Sequence, residues 1–332
     1  MVFLGTGEIA VPTLRHLAAA GPRPSMVVTQ PDRPVGRHQV PTPPAVKAAA
    51  LDLGIPVFQP ESMRDEAACE RVAGERPDVA VVMAYGQWLP KRLLAIPRIA
   101  CINLHASLLP RHRGAACIQA AIDAGDAETG MTVMHVAPKL DTGDLILSRS
   151  IPIGPDDTAG SLHDRLAELA PGALAEALEG LAAGTAPRMP QDEEMATHIG
   201  KLGRDDGRID WTWPAERLGR RIRAFDPWPG TFTTFAAPGG AEKRLKLFPP
   251  VRVVSGADTP DESARRPAEP GALLRVEDGG LIVACGQGAL HFETVQPDGS
   301  RRMSGGEFAR GRRLLEGKGR FGTQGDPGPS GS

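Results

Sequence analysis

The chain has 332 residues, 41% of them hydrophobic, which is enough for two domains with cores of their own. Its net charge of −2 hides an asymmetry: residues 1–200 carry 17 Lys+Arg against 23 Asp+Glu, whereas residues 201–332 carry 21 against 17, which suits a polyanionic partner on the second half. Four scattered cysteines and eight histidines without HExxH spacing argue against a disulfide framework or a metal site. No apolar run approaches the roughly 18 residues of a membrane span, so a cytoplasmic protein is expected.

VFLGT (2–6) reads as a buried strand that follows Met1 directly, and GEIAVPTLRHLAAAG (7–21) as the helix after it. SMVVTQ (25–30) is a second strand, followed by a proline-rich loop and a helix over Ala45–Leu53. PVF (56–58) is a short third strand before a helix at 63–73, and DVAVVMAY (78–85) and IACINLH (99–105) are two more buried strands. Strands alternating with helices at this spacing predict a doubly wound, mostly parallel sheet of α/β type. After a helix around Gly114–Ala124, GMTVMHV and LILSRSIPI lie close enough to form an antiparallel pair, and an Ala/Leu-rich helix over 159–183 closes the unit.

The expected domains are 1–186 (catalytic), 187–206 (linker), 207–316 (a small, OB-like β-barrel) and 317–332 (a disordered tail). The linker is polar and lacks sustained periodicity. Pro214 opens a short helix whose Leu218, Ile222 and Phe225 share one face while Arg217, Arg220 and Arg221 line another. The runs TFTTF, RLKLFP, VRVV, GALLRV, GLIVACG and ALHFETV, punctuated by Gly and Pro, predict the barrel. SGADTPDESARRPAEPG (255–271) is expected to be a mobile loop.

The chemistry concentrates in INLHASLLPRHRGAACIQ (102–119). Asn103 and His105 are two apart on one strand, so their side chains project from the same face. They stand at the carboxyl end of a strand, where α/β sheets place their ligands. An amide there can donate to an oxygen that becomes negative, and an imidazole can move a proton near neutral pH. A carboxylate beside His105 would orient the ring and raise its pKa, and HVAPKLDTGDLI offers both Asp141 and Asp144. There is no Gly-x-Ser-x-Gly elbow, and Ser107 precedes Leu-Leu-Pro, so the chain has no clear nucleophile of its own. Direct transfer between two bound substrates is the chemistry that remains. GTGEIA (5–10) is not GxGxxG and has no acidic partner at dinucleotide spacing, so no dinucleotide site is expected.

CINLHASLLPRHRGAACIQ, followed by DAETGMTVMHVAPKLDTGD, resembles methionyl-tRNA formyltransferases. TQPDRPVGR (29–37), VFQPESMR (57–64), AYGQWLP (84–90), DGRIDW (206–211) and IRAFDPWPG (222–230) resemble that family too, in order, over about residues 1–315. The resemblance implies 10-formyltetrahydrofolate as donor and the α-amine of methionine on initiator tRNA as acceptor, with a monomer expected. It implies Asn103, His105 and Asp141 as the catalytic set, and Ser107, Leu108, Leu109 and Pro110 as the folate-contacting segment, with Tyr85–Pro90 as a second wall. It implies tRNA contacts from Arg217, Arg220 and Arg221, and from Arg37 in the loop 31–47. That loop lacks the consecutive lysines frequent in the family, and Cys117 stands where proline is usual. A formyltetrahydrofolate hydrolase-type enzyme, in which water replaces the amine, is the nearest alternative, beside another folate-dependent formyltransferase or an RNA-binding protein on a decayed transferase fold; IRAFDPWPG favours the tRNA enzyme, and Asn103, His105 and Asp141 together argue against decay.

Overall fold

The apolar runs of the first half become strands of one seven-stranded sheet in the computed structural model, which describes residues 1–36, 39–236, 242–254, 268–277, 279–314 and 319–322. Two units are distinct: Met1–Ile118, Ala127–Pro152 and Leu162–Gly200 form the first, and Gln119–Asp126, Ile153–Ser161 and Lys201–Ser332 the second.

The chain runs through β1 (Val2–Gly5), α1 (Val11–Ala20), β2 (Met26–Val28), a hairpin of β3 (Arg33–Val35) and β4 (Val40–Thr42), then α2 (Ala45–Asp52). There follow β5 (Val57–Phe58), α3 (Glu66–Ala73), β6 (Val79–Met83), α4 (Lys91–Leu94), β7 (Ala100–His105), β8 (Arg113–Gly114) and α5 (Cys117–Ala124). β9 (Glu128–His135), β10 (Leu145–Pro152), α6 (Ala159–Ala183) and β11 (His198–Ile199) complete this part of the chain. The sheet order is β10-β9-β7-β6-β1-β2-β5, parallel from β7 to β5, with β9 and β10 antiparallel. β1, β6 and β2 are buried throughout because both faces of the sheet are covered, which is why they read as unbroken apolar runs. Strand order reverses beside β1, so the crevice between the carboxyl ends of β1 and β6 is the sheet's switch point.

Residues 187–206, expected as a linker, divide instead. Residues 187–200 belong to the first unit, where Met189 bridges Leu145 and β11 lies parallel to β8. Side-chain bonds from Arg113 and Gln191 hold this strap, and such bonds leave no periodicity to read.

In the second unit α7 (Ala215–Ala224) buries Leu218 and Ile222, as the sequence pattern predicts. The strands are β12 (Thr231–Ala236), β13 (Glu242–Val254), β14 (Leu273–Val276), β15 (Leu281–Ala284), β16 (Ala289–Pro297), β17 (Met303–Ser304) and, after α8 (Gly305–Arg312), β18 (Phe321–Gly322). They form one antiparallel sheet, order β14-β15-β16-β13-β12-β18 with β17 on β16, curled into a half-barrel. RLKLFP and VRVV are a single strand, β13, whose register slips between Phe248 and Val251 because Pro249 and Pro250 have no N–H for the ladder. Trp211, Phe292 and Phe321 pack together at 6.1–6.4 Å between ring centroids. Trp211 also donates its indole N–H to the Thr233 hydroxyl at 2.9 Å. Phe321 corrects the expected tail: its burial draws Phe321–Gly322 onto β12 as a strand, while Arg320 bridges Ala272. Residues 255–267 of the expected mobile loop, and 317–318 and 323–332 of the tail, lie outside the described residues.

Candidate active site

β7 places the first two groups. It is an interior strand, with Asn103 opposite Val82 on β6 and Met134 on β9, so the backbone is satisfied on both sides and the side chains are held firmly. Asn103 is half-buried, and its amide is bonded to no other protein group among the described residues. His105 is 7% exposed. Its Nε2 lies 3.0 Å from the His112 carbonyl, an acceptor only, so Nε2 carries a proton and donates it. The proton that His105 gains or loses therefore sits on Nδ1.

Nδ1 faces Asp141, whose Oδ2 is 3.8 Å away with both side chains nine-tenths or more buried. The gap exceeds a hydrogen bond, leaving an ion pair when the ring is protonated. Neutral His105 would aim a lone pair at this carboxylate; the imidazolium aims a positive edge instead. Burial alone pushes the His105 imidazole down, but the Cys117 side chain, the Asp141 carboxylate and the His112 carbonyl outweigh it and hold the group up at about 9.

Asp141 lies in the turn joining β9 to β10, with φ at 52°, in the left-handed region that aspartate tolerates better than most residues. The turn is built by its neighbours. Thr142 Oγ1 donates to the Lys139 carbonyl at 3.2 Å, and the His135 N–H donates to the Asp144 carbonyl at 2.9 Å. A Cβ on Gly143 would overlap the His135 carbonyl, so the Asp-Thr-Gly sequence ends in the one residue that fits. Gly114 N–H donates to Asp141 Oδ2 at 2.8 Å. Gly114 itself has φ at 112°, and a Cβ there would overlap the Ile199 carbonyl. Of the two carboxylates open on sequence grounds, Asp141 is the one at His105; Asp144 is turned to Arg188 at 3.5 Å.

The segment after β7 is tied down from within. Ser107 Oγ donates to the Arg111 carbonyl at 2.8 Å, and Thr132 Oγ1 donates to the Ser107 carbonyl at 2.6 Å while accepting from Leu109 N–H at 3.2 Å. Ser107 and Leu109 are buried; Leu108 and Pro110 are half-buried, each with part of its apolar surface accessible. Tyr85 departs from the expected second wall, because its ring is packed in the core with Leu4, Met26 and Met63. Its carbonyl accepts from Thr6 Oγ1 and Gln30 Nε2, both at 2.8 Å, and so ties the switch point together.

Of the arginines on α7, Arg217 is exposed and stacks on Trp213 at 3.5 Å. Arg221 pairs with Asp123 Oδ2 at 2.6 Å and covers the Phe225 ring at 4.0 Å, and Arg220 Nε donates to the Asp123 carbonyl at 3.2 Å. Arg37 lies outside the described residues. The sequence reading missed Gln191, which grips the Asp141 turn from the strap, and Arg113 on β8, which holds Gln191 and Glu193; the only hint was an arginine in RHRG and an acidic run in QDEE about 80 residues later.

A doubly wound sheet with this constellation at its strand ends, and a half-barrel unit after it, defines a formyl transferase. The family model described as "Formyl transferase" matches residues 1–178, and "Formyl transferase, C-terminal domain" matches residues 201–313. The chain is 47% identical over 320 residues to the methionyl-tRNA formyltransferase of Akkermansia muciniphila, covering 95% of this chain and 98% of that protein. To its counterpart in Methylococcus capsulatus it is 47% identical over 323 residues, covering 97% and 99%. The chain belongs to the methionyl-tRNA formyltransferase family. Among solved structures it resembles HypX from Aquifex aeolicus in complex with tetrahydrofolic acid (TM-score 0.57, 16% identity, 95% of this chain and 47% of that one). It also resembles the sugar 3N-formyl transferase WlaRD (TM-score 0.59, 14% identity, 90% and 98%). No helix among the described residues is long and apolar enough to cross a membrane.

Proposed function

We propose that this protein transfers the formyl group of 10-formyltetrahydrofolate to the α-amine of methionine esterified to initiator tRNA. The observation that carries this reading is the unbonded Asn103 amide beside His105, with Asp141 on the ring's titrating edge.

An α-amine with an ordinary pKa of roughly 7.7 is partly neutral near pH 7 and can attack the formyl carbon with little activation. Asn103 donates to the formyl oxygen as negative charge develops there, an interaction stronger in the transition state than before it. His105, kept protonated by its surroundings, supplies a proton from Nδ1 to N10 as the bond from the formyl carbon to N10 breaks. The amine sheds one proton as its new C–N bond forms. Asp141 takes up that proton and returns it to His105, so the protein ends as it began. Leu108 and Pro110 suit a flat heterocycle, and Ser107 and Leu109 brace them from beneath. Arg217, exposed at α7, is fit to meet a tRNA phosphate. Arg220 and Arg221 would do so with some donors already committed to Asp123. Arg37 is proposed for the acceptor end, where a guanidinium can clamp a phosphate or stack on a base.

The test is incubation of the protein with donor and charged initiator tRNA, with donor and free methionine, and with donor alone. Formylation of the charged tRNA only is expected. Formate release from donor alone at a comparable rate would overturn the assignment in favour of hydrolysis.

A further inference from the structure

The strap at 187–200 meets the proposed catalytic turn through one side chain. Gln191 Nε2 donates to the Asp141 carbonyl at 2.9 Å and to the Gly143 carbonyl at 2.8 Å. Its Oε1 accepts from Arg113 Nε at 3.1 Å and Nη2 at 2.9 Å. Both ends of the carboxamide are thus used, one on the turn and one on an arginine only 1% exposed. Glu193 fastens that arginine further, at 3.0 Å to Nη1 and 2.8 Å to Nη2.

We propose that Gln191 is a positioning residue for formyl transfer: its carboxamide fixes the left-handed turn that presents Asp141 to His105. Asp141 is then held twice, its carboxylate by Gly114 N–H and its carbonyl by Gln191, and both holds converge on the adjacent residues Arg113 and Gly114. A neutral amide is the group this place needs. Two neighbouring carbonyls require donors, while the arginine requires an acceptor, and only a carboxamide offers both from one short plane. A left-handed residue other than glycine persists only where its surroundings over-determine it, and Gln191 supplies that constraint at the Asp141 peptide. A carboxylate 3.8 Å from its partner has little tolerance for movement, because their attraction depends directly on separation.

The inference rests on the reading of Asp141 and His105 given under Proposed function, and the test separates the two. Gln191→Glu keeps the length of the side chain and its bond to Arg113, but turns oxygen instead of N–H toward the two carbonyls. Single-turnover transfer is expected to fall at least about tenfold, with the KM for tRNA and donor affinity nearly unchanged and a lower thermal midpoint, since two carbonyls lose their donor. For Gln191→Met, which removes the amide without adding a charge, the alkaline limb of the pH–rate profile should move to lower pH as Asp141 loses its place beside His105, which Cys117 and the His112 carbonyl still face. Combined with Asp141→Asn, Gln191→Glu should add less than about twofold to the single Asp141→Asn defect. A rate for Gln191→Glu within about threefold of wild type, beside a clearly impaired Asp141→Asn, would overturn the positioning role and leave the function intact. Full multiplication of the two defects would overturn it as well. An unimpaired Asp141→Asn would instead sink the catalytic reading itself. If the glutamate variant does not fold, Gln191→Met, similar in size and without the amide, is judged by the same outcomes.

Discussion

Asp141→Asn removes one charge and the proton acceptor that goes with it, and changes the shape of the side chain hardly at all. The asparagine carboxamide oxygen can still accept from Gly114 N–H, so the turn should keep its shape. The magnitude follows from the separation. Two unit charges 3.8 Å apart attract by about 4 kcal/mol at an effective dielectric constant near 20, a ceiling of about 3 pK units. His105 is held at about 9 against an ordinary 6.5, in spite of burial, and Asp141 shares that work with Cys117 and the His112 carbonyl. A fall of about 1–2 units is therefore expected for the ring when the carboxylate goes. Because the acid is the protonated ring, activity should decline as pH rises through its pKa, and this alkaline limb should move from about 9 to between about 7 and 8 in the variant. Rapid-quench single-turnover transfer, with donor saturating and pH stepped from about 6 to about 10, reads the limb directly; protonation of the α-amine shapes only the acid side. Linkage gives the same sign for stability. A histidine raised on folding contributes stability fully present below its ordinary 6.5 and lost as pH climbs through about 9. The thermal midpoint of the wild type should fall across that window, and that of Asp141→Asn should fall less. An alkaline limb that stays in place while the rate drops would refute the coupling of Asp141 to His105.

Asn103→Ala should leave donor affinity nearly intact and slow the chemical step 10²–10³-fold, about 2.7–4 kcal/mol, in single-turnover assays; a loss under about fivefold would rule out a role at the oxyanion. Arg217→Ala should raise the KM for tRNA and reduce the log–log salt slope by about 1, whereas Arg221→Ala should lower the thermal midpoint because it strands Asp123. Equal behaviour of the two arginines would show that the ion pair does not distinguish them. Gly114→Ala should be damaging far beyond its size, since φ is 112° and the added methyl meets the Ile199 carbonyl; wild-type melting and activity would contradict the strap's close packing on β8.

Much of this was legible in the chain. Buried parallel strands announce themselves as unbroken apolar runs, and β1, β2, β6 and β7 fall where those runs lie. Asn103 and His105 could be paired from sequence because a strand's period of two sets their common face with no help from the rest of the molecule. Leu218 and Ile222 on α7 follow from the helical period in the same way. The tertiary structure alone chose Asp141 over Asp144, which differ by three positions in one turn but face opposite partners. It alone drew Arg220 and Arg221 onto Asp123, about 100 residues earlier, where composition showed only a basic stripe. The strap shows the same limit. Gln191, read as part of a linker, contacts Asp141 and Arg113 across 50 and 78 residues. Periodicity reports how a segment meets the core, because burying apolar area repeats along an element. A single directional hydrogen bond between distant residues repeats nowhere, so only the folded chain, which brings its two ends within 3 Å, reveals it.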